Sequence, residues 1–162
     1  MEYTPSSSNS LSAWKVLDYE VQMFLGTIHL RRLSFIGKEP KAQIVRNALV
    51  ESSLLHTRIL ADIFLSRSTY PDDIHLRDLG FDNFEEDDTF SKEIDALDQA
   101  YGKSKDENSK CWIINKMLAH PTSQRSESYD YSPVFSALDD LITALINHIY
   151  SIVRRPLPFP FS

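Results

Sequence analysis

A chain of 162 residues with 42% apolar side chains can build one domain with a real core, and is too apolar to be disordered throughout. Its formal net charge of -6 excludes a protein that coats nucleic acid by bulk positive charge, although a local basic groove stays open. Cys111 is the single cysteine, so no intramolecular disulfide can form, and a reducing, cytoplasmic setting is expected.

The first ten residues are a polar, Ser-rich lead expected to be flexible. They carry neither a basic segment nor an apolar run, so no secretory signal is expected. Trp14, Leu17, Val21, Phe24, Leu25 and Ile28 then recur at helical spacing and predict a helix to about Phe35. Gly37 and Pro40 punctuate the chain, and Pro40 suits the first turn of a second helix running to about Arg67. That helix is apolar over a wide arc, from Ile44 and Val45 to Ile63 and Phe64, which predicts a central position. On it Glu51, Arg58 and Asp62 share one face at spacings that allow pairing.

Tyr70 to Asp73 reads as a turn, followed by a short helix to about Leu79. Residues 80–88 are acidic and are expected to form an exposed loop. Phe90, Ile94, Leu97 and Tyr101 mark a shorter amphipathic helix. A helix from about Asn108 carries Trp112, Ile113, Ile114, Met117 and Leu118 inward, and Pro121 is expected to end it at His120. After a polar loop, Val134, Leu138, Leu141, Leu145, Ile149 and Ile152 define the last helix, with Arg154 and Arg155 suited to its C-terminal dipole. Pro156, Pro158 and Pro160 alternate with Leu157, Phe159 and Phe161 and predict an extended tail over residues 156–162. Residues 11–155 therefore read as an all-α domain, a mainly antiparallel bundle of four long helices with one or two short ones. Each apolar run is interrupted by Asp, Asn, His or Arg, so no membrane span is expected.

Several motifs fail on their own chemistry. Gly102-Lys103-Ser104 lacks the earlier glycine of a phosphate loop, since Leu97 stands there, and a helix rather than a strand precedes it. Residues 82–93 lack the central glycine of a calcium loop. The five histidines form no His-x-x-x-His pair, and one cysteine makes no zinc signature. Neither a metal nor a cofactor is expected. Cys111, beside Trp112 in an apolar turn, reads as a packed thiol.

The stretch from Cys111 to Arg125 concentrates groups capable of chemistry. His120 stands at a helix end with Asn115, Lys116 and Arg125 around it in sequence, an arrangement suited to proton transfer or to holding a phosphate oxygen. Its bland reading is a C-terminal cap. His56, near Glu51 and Arg58, reads either as a structural core histidine or as part of a binding site.

The segment from Ala48 to Asp62, paired with the later Ile114-Asn115-Lys116-Met117-Leu118-Ala119-His120-Pro121-Thr122, resembles the HEPN-like bacterial proteins. The resemblance spans roughly residues 12–153 and is clearest in those two segments. It implies a small helical bundle of the kind found in phage-defence and toxin–antitoxin systems. It also implies RNA binding, a homodimer whose paired motifs face one cleft, and a metal-independent endoribonuclease activity. The family motif is an arginine followed a few residues later by histidine. His120 matches the histidine, while Asn115 stands where the arginine belongs, with Lys116 beside it. Asparagine lacks the fixed, charged fork that holds a scissile phosphate. The resemblance marks His120, Asn115 and Lys116 as catalytic candidates and Arg125, Glu51, His56 and Arg58 as substrate-binding ones. The alternative is a non-catalytic interaction module that contacts a protein partner through the bundle face or the Pro/Phe tail.

Overall fold

The computed structural model describes residues 8–33, 39–67, 70, 72–81, 87–119 and 130–158. They form five α-helices and one short 3-10 helix, with no strand among the described residues. Helices α1 (Ser8–Arg32), α2 (Pro40–Phe64) and α5 (Ser132–Ile152) are the long ones. Helices α3 (Asp88–Tyr101) and α4 (Lys110–Ala119) are shorter, and the 3-10 helix covers Leu76–Leu79. The chain is therefore all-α, as its periodicity predicts.

Local chemistry sets most of the boundaries. Pro40 opens α2, where its missing N–H breaks no intrahelical bond. The same helix stops at Phe64, three residues short of the predicted end. Leu65 caps it, and Ser66 turns into the left-handed region at φ 49°. Arg67, thus freed from the helix, bonds the Gly102 carbonyl and the Asp98 carboxylate at the end of α3. Asp87 belongs to a helix start rather than to a loose acidic loop. Its carboxylate accepts from the Thr89 and Phe90 amides at 3.0 Å each, which satisfies two otherwise unpaired N–H groups. Those bonds, with His148 nearby, hold its pKa below the usual carboxylate value. Gly102 ends α3 at φ 73°, and a Cβ there would stand 2.6 Å from that of Ser109, so only glycine fits.

The core joins all five helices. Trp14, Leu17, Val21 and Phe24 of α1 meet Leu138, Ile142, Leu145 and Ile149 of α5, with Leu60 and Phe64 of α2 and Phe90 and Leu97 of α3. Contacts along α1 fix its directions. Arg31 meets Asp139 and Asp18 meets Tyr150, so α1 and α5 run antiparallel. Among the described side chains of α2, the buried ones all lie between Ser53 and Phe64. Ile44 and Val45 are exposed, so α2 is central only over its second half. After α5, Arg155 bonds Asp18 at 2.7 Å and lies over the Trp14 ring, and Leu157 packs on the core. The tail thus starts docked on its own bundle at residues 155–157. Residues 159–162, the rest of the expected extended segment, lie outside the described residues, as do 1–7 of the N-terminal lead.

Candidate functional site

Two of the sequence-predicted site residues, His120 and Arg125, lie outside the described residues. Asn115 and Lys116 stand in the second half of α4, and both side chains are engaged locally. The Asn115 amide donates toward the Cys111 sulfur at 3.5 Å, one helical turn back. Its Oδ1 is buried and without a hydrogen-bond partner among the described residues. The Lys116 ammonium lies over the Trp112 ring, 4.2 Å from the centroid, a cation–π placement. Cys111 is a buried free thiol, as expected. The buried Tyr101 hydroxyl lies against it, and burial together with nearby Asp62 pushes that phenol well above its usual pKa.

Helix α2 carries the second group. Its Glu51 is exposed. His56 is buried and turns to α1, where its Nδ1 lies 2.6 Å from the Glu20 carboxylate, with Tyr19 edge-on to its ring. The histidine is therefore joined to a residue of another helix rather than to its sequence neighbours Glu51 and Arg58. A signal for Glu20 existed in the sequence. It falls between Leu17 and Phe24 on the apolar stripe of α1, and a carboxylate on a buried face needs a partner. Asp139 sits likewise between Phe135 and Ile142 on α5 and finds Arg31 at 2.7 Å.

Arg58 points along its own helix to Asp62, with Nε 3.6 Å from the carboxylate. The expected pairing of these two residues is present. Both line a cleft of about 440 Å³ between α1 and α2, to which Tyr70, Asp72, Asp73 and Ile74 beyond α2 also contribute. Its apolar wall is made by Val16, Leu55, Ile59, Ile63, Tyr70 and Ile74. Its polar side is Arg58 with Asp62, Asp72 and Asp73. Burial raises the Asp62 pKa even though Arg58 and Arg67 pull it down, so the carboxylate is desolvated beyond what these cations offset. Val16 and Leu55 are 40% and 42% exposed and Tyr70 71%, leaving apolar surface at the mouth. Sequence periodicity did not reveal the cleft, because residues from α1, α2 and the following turn compose it.

Among the described residues, no group of three or more His, Cys, Asp or Glu is placed to hold a metal ion, and no helix is long and apolar enough to cross a membrane. Comparison of the chain with protein-family models, with curated proteins and with solved structures finds no significant match.

Proposed function

We propose that this chain is a HEPN-like helical bundle acting as a non-catalytic interaction module, which engages a protein partner through a surface of the bundle. One observation carries this reading. Two of the ionisable residues of the candidate site are committed to internal contacts: Lys116 to Trp112 and His56 to Glu20. Meanwhile apolar side chains stay exposed around an open cleft between α1 and α2. Contiguous exposed apolar surface rimmed by polar groups supports a recognition face. The bacterial defence setting and the family assignment rest on the two sequence segments quoted above.

Selection of displayed peptides against the purified full chain tests the module. Enriched peptides are expected to lose binding to Leu55→Glu, an exposed position whose change leaves the core intact. Failure to enrich any binder argues against the module.

The second reading is an RNA-binding protein and metal-independent endoribonuclease of a dimer, with His120 moving the proton and Lys116 or Arg125 steadying the phosphate. What favours it is the position of Asn115 and Lys116 in the second half of α4, five and four residues before His120 in the sequence. Incubation with RNA in EDTA, wild type beside His120→Ala, separates the two. Cleavage lost in the variant establishes the nuclease; intact RNA with both proteins supports the module.

A further inference from the structure

We propose that the cleft between α1 and α2 receives a basic side chain, arginine or lysine, presented by the protein partner. This rests on the module reading and adds the chemistry of what is recognised. Three features converge on such a group.

The first is charge. Asp62, Asp72 and Asp73 line the cleft, and Arg58 is the single cation among its described lining residues. Arg67, which also acts on Asp62, is held by Asp98 and the Gly102 carbonyl. Arg58 reaches the half-buried Asp62 only at 3.6 Å, longer than a strong charge-assisted hydrogen bond. An incoming guanidinium or ammonium supplies a closer donor to Asp62 and meets the exposed Asp72 carboxylate.

The second is shape and polarity. A cleft of about 440 Å³ accommodates one long side chain. Ile59, Ile63 and Ile74 offer an apolar wall for its aliphatic stem, and arginine and lysine are the residues that pair such a stem with a charged head. Tyr70 adds an exposed aromatic face at the mouth, where a cation gains further attraction.

The third is extent. The apolar surface continues past the cleft along α1, because Tyr19, 54% exposed, follows Val16 by one helical turn on the same face. A free amine fills the cleft and leaves that surface bare, whereas a peptide covers both.

The test uses the full chain with labelled isoleucine methyls. It is titrated with a short acetylated, amidated peptide alternating leucine and arginine, with the same peptide carrying citrulline for arginine, and with free arginine amide. Saturable shifts at Ile59, Ile63 and Ile74 with the arginine peptide are expected. Binding about tenfold weaker is expected for the citrulline peptide, as it is for the arginine peptide against Asp72→Asn, whose exposed position spares the fold. Equal binding of both peptides overturns the cation-specific site. Arginine amide binding as tightly as the peptide overturns the partner-borne side chain in favour of a small free cation. Absence of methyl shifts, while selected peptides still bind the chain elsewhere, overturns the cleft and leaves the module standing. RNA cleavage in EDTA that depends on His120 removes the reading beneath both.

Discussion

Helix α1 carries two seams, and they are built differently. Against α5 its charged groups meet partners at hydrogen-bond distance. Arg31 bonds Asp139 at 2.7 Å with both side chains largely buried, and stacks over Phe135 at 3.5 Å. Asp18 accepts from the Tyr150 hydroxyl at 2.6 Å and from Arg155 at 2.7 Å. Against α2 the closest polar contact, His56 with Glu20, is buried, but beyond it the seam opens into the cleft. There carboxylates outnumber the cation, the Arg58–Asp62 contact is long, and Val16 and Leu55 remain exposed. One seam uses its polar groups to hold helices together. The other has a long, partly exposed ion pair and leaves apolar side chains at the surface.

The contrast is sharpest where a buried partner is removed. Arg31→Met keeps the packing on Phe135 but strands the Asp139 carboxylate, and is expected to cost about 3 kcal/mol in urea denaturation. The double change Arg31→Met with Asp139→Leu is expected to recover most of that loss, because the desolvated charge disappears with its partner. A double variant no better than the single one would mean that packing, not charge pairing, holds this seam.

Tyr150→Phe removes one donor from Asp18 and leaves Arg155 in place, so a loss of about 1 kcal/mol is expected from the same measurement.

Asp62 supplies a test by pH. Its folded pKa is raised, chiefly by burial, so its contribution to stability is fully present below the unfolded value of 3.8 and is lost as pH rises through the folded value. Asp62→Asn has no such dependence. Its stability relative to wild type is therefore expected to be greatest near neutrality and to decline as the pH is lowered toward 4, read from urea midpoints across that range. A relative stability that instead rises on acidification would show Arg58 to be the stronger influence.

The smallest effect is expected from Arg58→Ala. Its pair with Asp62 is long and partly exposed, and such pairs contribute less than about 1 kcal/mol. A loss as large as that of Arg31→Met would erase the distinction between the seams.

Part of the site was legible in the chain. The pairing of Arg58 with Asp62 follows from helical spacing, and the packed Cys111 follows from its apolar neighbours. The partner of His56 was not legible, because Glu20 lies 36 positions away and local spacing says nothing across that distance. Nor was the capping role of Asp87 legible, at the end of a run whose residues 82–86 lie outside the described ones. An acidic run looks solvated, yet its last residues cap and open α3, because a carboxylate is the group that satisfies unpaired N–H donors at a helix start.

What the sequence by itself determined is the helical class and the place of each helix. Apolar side chains recur with the period of one turn, Pro40 opens α2 and Gly102 closes α3, and these are short-range effects of backbone geometry. What only the tertiary structure decided is which side chains meet. Asp139 faces Arg31 across 108 positions, and Asp72, Val16 and Leu55 share one cleft. Those meetings depend on how three helices and a turn pack against one another, and packing is settled by the burial of the whole apolar surface at once rather than by the order of residues along any one helix.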